Sequence, residues 1–207
     1  MKVNFSKIIF YVAGIAFLGF ITYYFLNRQS DEYNQKILKA RNAKDYYFKN
    51  SEGSPIEHKE KFEALNYFEP DAKYKIHATL ELLHDTNTLT IQRNDGKKEK
   101  YYRFAHARFQ LENQDLQLTL LKSEEHKNDH FLFLPFTDQT NGKSTYQGGR
   151  YLDLEYKDSK ELEIDFNFAY NPYCVYNYRF SCPLPPKENH LPVAIPAGEK
   201  LFLHEGH

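Results

Sequence analysis

Alternation of apolar and polar residues dominates the chain from Ala72 onward and constrains its fold more than any other feature. Successive side chains of a strand point to opposite faces, so a period of two predicts strands with one buried face. The turns between the alternating stretches are Asp85-Thr86-Asn87, Asn94-Asp95-Gly96 and Lys157-Asp158-Ser159-Lys160. About seven strands at this spacing predict a mainly β fold, an antiparallel β-sandwich or barrel-like domain.

An uncharged segment runs from Ile8 to Leu26. At 1.5 Å per residue, a helix of this length spans roughly 29 Å, close to the ~30 Å hydrocarbon thickness of a bilayer. We therefore predict one transmembrane anchor over 8–26, in contact with lipid, after a stub over 1–7. A cleaved export signal is the main alternative, but the run exceeds the ~7 to 15 residues of a typical signal core.

Basic residues flank this segment on both sides and do not fix its orientation. Lys2 and Lys7 favour a cytoplasmic N-terminus, whereas Arg28, Lys36 and Lys39 oppose it. Because export signals begin with a short basic stub before an apolar run, we expect a single-pass protein of the cell membrane with an extracytoplasmic domain.

Two short helices are predicted before the strands. Apolar residues recur at helical spacing from about Asp31 to Phe48, within a helical stalk over 27–53. The sequence Ser54-Pro55-Ile56-Glu57 matches a capping box and predicts a second helix that ends near Leu65. The β-rich globular domain would then cover 54–202, followed by a tail over 203–207.

The segment from Asn171 to Pro196, called the arm below, contains six prolines and both cysteines of the chain. Proline has no backbone N–H to donate to a neighbouring strand. This arm is therefore predicted to cover the sheet as irregular structure. In an oxidising compartment Cys174 and Cys182 would close a small loop as a disulfide. A zinc site would need two further ligands that the spacing does not supply, so no metal is predicted.

Charge and missing motifs exclude several classes of function. The formal charge is -1, and the 27 basic and 28 acidic residues are scattered rather than clustered. Nucleic-acid binding needs a concentrated basic face, so no nucleic-acid partner is expected. The sequence also lacks the glycine-rich phosphate loops, the zinc-protease motif and the hydrolase elbow, and no cofactor is predicted.

A series of unusual short motifs in the C-terminal half resembles a known family. These motifs are Pro135-Phe136-Thr137-Asp138-Gln139-Thr140-Asn141-Gly142, Thr145-Tyr146-Gln147-Gly148-Gly149-Arg150-Tyr151-Leu152-Asp153, Asp165-Phe166-Asn167, Ala169-Tyr170-Asn171-Pro172, Cys182-Pro183-Leu184-Pro185-Pro186 and Ala197-Gly198-Glu199-Lys200. In this order they resemble the bacterial family called domain of unknown function 1684, over roughly 33–202. The resemblance implies a domain boundary and candidate positions, but no reaction, because the family has no established activity.

Five polar residues in these motifs are candidate binding residues. Arg150 offers a planar fork of donors suited to carboxylate or phosphate. Asp153 and Asp165 lie on neighbouring predicted strands, and Asn167 and Asn171 follow them. They would converge on a small ligand between sheet and arm, or else form a surface pair and backbone caps.

Two classes of function remain open. The first is a ligand- or partner-binding envelope module whose partner is an unknown small molecule or envelope protein. The second is an envelope hydrolase-like enzyme in which Asp165, its pKa raised by burial, acts as general base with Arg150 and Asn171.

Overall fold

The computed structural model describes residues 5–83 and 88–202, with side chains from Gly14 onward except that of Asn27. The predicted turn Asp85-Thr86-Asn87 and the predicted tail over 203–207 therefore lie outside the described residues. The chain divides into two compact units, Met1–Ala40 and Arg41–His207. The sheet, the arm and every site discussed below belong to the second unit.

One long helix precedes the sheet: α1, Phe5–Asn50. The strands are β1 Lys75–Leu82, β2 Thr88–Gln92, β3 Lys98–Leu111, β4 Gln114–Ser123, β5 Phe131–Phe136, β6 Arg150–Glu155 and β7 Glu161–Asp165. Short 3-10 turns occupy Ala72–Tyr74, Phe166–Phe168, Tyr173–Val175 and Lys187–Asn189. The alternating stretches thus form strands, but the alternation of Leu162, Ile164, Phe166 and Phe168 predicts a longer strand than β7, which ends at Asp165 and is followed by a 3-10 turn over Phe166–Phe168.

All strand pairs are antiparallel, in the order β6-β5-β4-β3-β1-β7, with β2 paired to β3. The two ends of this sheet approach each other. Tyr151 in β6 and Tyr170 after β7 exchange backbone hydrogen bonds of 2.9 and 3.0 Å. The prediction of a mainly β, antiparallel, barrel-like domain is therefore confirmed, and the barrel is nearly closed.

The arm takes part in the core of the domain instead of only covering it. Its predicted irregular structure is present, interrupted by 3-10 turns. Three branched side chains of the arm, and Ala197 just after it, nevertheless alternate into the main apolar cluster beside the inward faces of the strands: Leu191, Val193 and Ile195. Removal of their apolar surface from water stabilises the position of the chain end against the sheet.

The predicted transmembrane helix over 8–26 is wrong. Within the described part of the chain, no helix is both long and apolar enough to cross a membrane. Beyond Leu26 the helix continues with exposed charged residues such as Arg28 and Glu32. The side chains of 8–13 lie outside the described residues, and the expected contact with lipid rested on this helix.

The helix predicted over about 31–48 lies within α1, but the second predicted helix, over 54–65, is also wrong. This segment runs through irregular turns that bury Ile56, Phe62 and Leu65 in a cluster with Phe48. Burial of an apolar side chain contributes about 1.5–3 kcal/mol, whereas a capping interaction contributes about 1 kcal/mol. Tertiary packing therefore outweighs the local capping signal.

A substitution at Gly198 tests how closely the chain around this residue packs against the barrel. Its φ is +76°, and an added Cβ would lie 2.5 Å from the carbonyl oxygen of Ala169. Gly96 has a similar φ of +82°, with no described atom within 4 Å of such a Cβ. Gly96→Ala should therefore lower the free energy of unfolding by about 1 kcal/mol and Gly198→Ala by about 3 kcal/mol, in urea denaturation. Equal losses for the two variants would contradict this packing.

Candidate functional site

Arg150 lies at the start of β6, fully buried, with its guanidinium against the Asp138 carboxylate. Its Nη2 donates to Asp138 Oδ2 at 2.9 Å and to the Ile195 carbonyl at 2.8 Å. Its Nη1 donates to the carbonyls of Ala197 and Glu199. Burial lowers the pKa of Arg150, and the charge of Asp138 opposes that shift. Arg150 thus fastens the chain end to β6.

The Asp138 carboxylate has its remaining hydrogen bonds satisfied by the loop around it. Its Oδ1 accepts from the backbone N–H of Thr140 at 2.8 Å and from the Thr140 hydroxyl at 2.6 Å. The N–H of Ile195 donates to the same oxygen at 3.2 Å. A buried charge is tolerated when it is paired and hydrogen-bonded in this way, so Asp138 and Arg150 form one internal clamp.

Asp165 and Asn167 act on the backbone near them. Asp165 Oδ1 accepts from the backbone N–H and from the side-chain Nδ2 of Asn167, both at 3.0 Å, and caps the turn Phe166–Phe168. The Asn167 amide also donates to the carbonyl of Asp71 at 2.8 Å and accepts from its N–H at 2.9 Å. Both side chains are buried, and these contacts match the capping alternative.

Asn171 belongs to a second buried polar group, centred on Glu199. The Asn171 N–H donates to Glu199 Oε2 at 2.9 Å, and its Nδ2 donates to the carbonyl of Lys200 at 2.8 Å. Glu199 is 1% exposed and also accepts from the Lys44 ammonium and the Tyr176 hydroxyl. Burial, followed by the charge of Glu199, raises the pKa of Tyr176 well above its usual range.

Asp165 therefore pairs with Asn167, whereas Arg150 and Asn171 both contact Glu199, Arg150 at its carbonyl and Asn171 at its carboxylate. The sequence did not reveal Asp138 and Glu199 as partners of Arg150 and Asn171, although both stand in the family motifs. A detectable signal existed: Arg150 directly precedes Tyr151 and Leu152 at the buried start of a strand, and a buried guanidinium requires a carboxylate.

Asp153 is the predicted residue that faces open space. It lies on β6 opposite Phe133, and its Oδ2 accepts from the Tyr170 hydroxyl at 2.9 Å. Although the side chain is reached by solvent, the surrounding walls displace water, and this desolvation raises the pKa of Asp153. The Tyr170 hydrogen bond and the charge of Lys44 oppose that shift. Asp165 lies on β7, which pairs with β1, and its carboxylate accepts from Asn167, so the two aspartates have different hydrogen-bond partners.

An open groove of about 710 Å³ lies above Asp153. Its walls are mainly aromatic, and we call it the aromatic groove, defined by Tyr101, Phe133, Tyr151, Asp153, Tyr170, Tyr173, Phe180 and Cys182. The Phe133 ring stacks on Tyr101 at 5.7 Å between centroids and meets Tyr151 edge-on at 4.8 Å. Such contacts fix the rings, so the groove is formed before any ligand enters.

Both cysteines are free thiols in the structure. Cys174 and Cys182 are buried in a cluster with Tyr151, and the N–H of Cys174 donates to Cys182 Sγ at 3.2 Å. The disulfide stays a prediction. Among the described residues, no group of three or more histidine, cysteine or acidic side chains could hold a metal ion.

These features define a nearly closed antiparallel β domain with a buried Arg150–Asp138 clamp and an open aromatic groove. Residues 60–200 match the family described as "Protein of unknown function (DUF1684)", and the chain belongs to that family. The resemblance to this family that the sequence motifs indicate is confirmed. The solution NMR structure of an uncharacterized protein of Haloarcula marismortui is similar, with 34% identity and a TM-score of 0.65, over 84% of this chain and 96% of that chain. No curated protein matches.

The clamp predicts a large difference between two arginine substitutions. Arg150→Met leaves the Asp138 carboxylate buried without its partner and should lower the free energy of unfolding by about 3–5 kcal/mol. Arg108 pairs with Glu81 at 2.6 Å on the surface, with side chains 61% and 55% exposed, so Arg108→Met should change it by less than about 1 kcal/mol. The double variant Asp138→Leu/Arg150→Met should recover part of the loss. Similar small losses for both single variants, in urea denaturation, would refute the clamp.

Proposed function

We propose that this domain is a non-enzymatic binding module and that the aromatic groove takes a small organic molecule. The observation that carries the proposal is the combination of fixed aromatic walls with the partly desolvated Asp153 carboxylate. Ligand sites are typically concave and mostly apolar, with a few placed polar groups that fix orientation. The proposal includes no membrane anchor and rests on the groove alone.

The chemistry of the groove favours a ligand with an aromatic or aliphatic body and a positively charged or donor group. Ring faces attract cations, and Asp153 accepts hydrogen bonds. Lys44 and Arg93 also line the groove; Arg93 is paired with Glu99, and the Lys44 Nζ lies 4.8 Å from the Tyr170 ring centroid. Because Lys44 is paired with Glu199, its charge is already compensated and does not replace a ligand cation.

A larger hollow of about 890 Å³ over β1, β3 and β4 supports binding less well. Polar side chains such as His77, Arg108 and Gln110 line it, and they lie on the solvated side of these strands. Such a surface offers little apolar area for a ligand to remove from water.

The hydrolase-like alternative also finds less support. Its proposed base, Asp165, is buried and accepts two hydrogen bonds from Asn167. Arg150 and Asn171 donate to backbone carbonyls and to other buried groups. A catalytic role would require these groups to reach a substrate, and each is already occupied in holding the fold.

Titration with two matched probes tests the proposal. Benzylammonium and benzoate share one ring and differ in charge, and binding is followed through aromatic-ring NMR signals of the full chain. We expect benzylammonium to shift the signals of Phe133 and Tyr151 and to bind more tightly than benzoate. Asp153→Asn should weaken benzylammonium roughly tenfold, since a hydrogen bond to a charged group contributes about 1.5 kcal/mol.

Glu155→Gln is the control for this titration, because Glu155 is an exposed carboxylate on the same strand outside the groove. It should leave both affinities unchanged. Shifts scattered over the surface, or equal effects of Asp153→Asn and Glu155→Gln, would count against the groove as the binding site.

A further inference from the structure

Cys174 and Cys182 touch each other at the edge of the aromatic groove. The N–H of Cys174 donates to Cys182 Sγ at 3.2 Å, and both cysteines belong to one buried cluster with Tyr151. Each residue is 7% exposed, and Cys182 belongs to the groove lining. The pair therefore combines two adjacent cysteines with a route from solvent to Cys182.

The backbone holds Cys182 in place against the hairpin of β2 and β3. Its N–H donates to Asn94 Oδ1 at 2.8 Å, and the N–H of Asn94 donates to the Cys182 carbonyl at 3.0 Å. Arg93, next to Asn94, donates through Nε to the Ser181 hydroxyl at 2.8 Å. Cys174 sits in the 3-10 turn Tyr173–Val175. One sulfur is thus anchored to the sheet and the other to a turn of the arm.

The two thiols have different acidities for a physical reason. The hydrogen bond from the Cys174 thiol stabilises a thiolate on Cys182, the N–H of Cys174 and the charge of Arg93 add to this, and together they lower the pKa of Cys182 to about 7. Donation to that sulfur, followed by burial, raises the pKa of Cys174. The thiolate is the nucleophile in thiol chemistry, so Cys182 is the sulfur that attacks first.

We propose that Cys174 and Cys182 form a thiol–disulfide exchange site that reacts with small-molecule disulfides entering through the aromatic groove. The Cys182 thiolate attacks one sulfur of the disulfide, forms a mixed disulfide and releases one small thiolate. Cys174 then gives its proton to that thiolate and attacks the Cys182 sulfur, releasing the second. Two electrons pass from the pair to the disulfide, which leaves as one thiol and one thiolate while the chain gains a Cys174–Cys182 bond; the thiolate takes from water the proton that Cys182 had lost.

The order of the two steps follows from the contacts. While Cys182 is a thiolate, it accepts the proton of Cys174 in a hydrogen bond and holds that thiol protonated. The mixed disulfide removes the negative charge from Cys182, so this restraint on Cys174 disappears when it must attack. The closed loop contains seven intervening residues, short enough to form without large rearrangement of the arm.

Glutathione disulfide is the probe that tests this site on the full chain. The chain contains only two cysteines, so single substitutions assign every adduct. By mass spectrometry, the unsubstituted protein should lose two hydrogens and retain no glutathione. Cys174→Ser should accumulate one glutathione on Cys182, and Cys182→Ser should react at least tenfold more slowly. Tyr178→Ala, a change at an 84% exposed position in the same loop, should behave as the unsubstituted protein.

Alkylation of the unsubstituted protein by iodoacetamide, mapped by peptide, keeps the test valid if a serine variant folds poorly. Cys182 should be modified first, with a midpoint near pH 7 instead of the ordinary ~8.5 of a thiol. Modification of Cys174 first, an ordinary midpoint for Cys182, or a glutathione adduct that Cys174 fails to resolve would each overturn the proposal. These outcomes are independent of Asp153 and of the binding of benzylammonium, so the two proposals fail separately.

Discussion

The buried ion pair between Arg150 and Asp138 is the constraint on which the rest of the domain depends. Removing two charges from water costs several kcal/mol per ion, and pairing with hydrogen bonds offsets it. Nη1 and Nη2 of the guanidinium donate to the carbonyls of Ile195, Ala197 and Glu199, and the carboxylate accepts from the N–H of Ile195. The loop at Asp138, the start of β6 and the end of the chain must therefore come together as one unit.

The same strand connects this clamp to the groove. β6 begins with the buried Arg150, and the next positions present Tyr151 and Asp153 to the groove. Tyr151 is also hydrogen-bonded through its backbone to Tyr170, which places the Tyr170 hydroxyl on Asp153. The polar residues in the family motifs thus divide into two groups. Most hold the fold together, and a smaller group, on β6 and the arm, borders the aromatic groove.

The sequence predicts well what neighbouring residues determine. Alternation such as Leu116, Leu118 and Leu120 predicts a strand with one buried face, because strand geometry acts over two residues. Proline in the arm likewise predicts irregular structure. The turn Asn94-Asp95-Gly96 joins β2 to β3, as its composition indicates.

What sequence reasoning could not supply depends on partners far apart in the chain. The capping motif at Ser54 is a local signal, and burial of Phe62 against Phe48 overrides it. Length and charge alone predict a membrane span for the uncharged run from Ile8, whereas no helix of the described residues is both long and apolar enough to cross a membrane. The strands β6 and β7 are consecutive in sequence but unpaired, so Asp153 and Asp165, expected side by side, have different surroundings.

Amide hydrogen exchange followed by NMR tests the central role of the buried carboxylates most directly. The N–H groups of Thr140 and Ile195 donate to Asp138, and that of Asn171 donates to Glu199, all outside regular strands. If the clamp holds the fold together, these three amides exchange only by global unfolding, as slowly as the amides of the β3–β4 ladder. Exchange of Thr140 and Ile195 at the rate of exposed loops, while the ladder stays protected, would contradict the account.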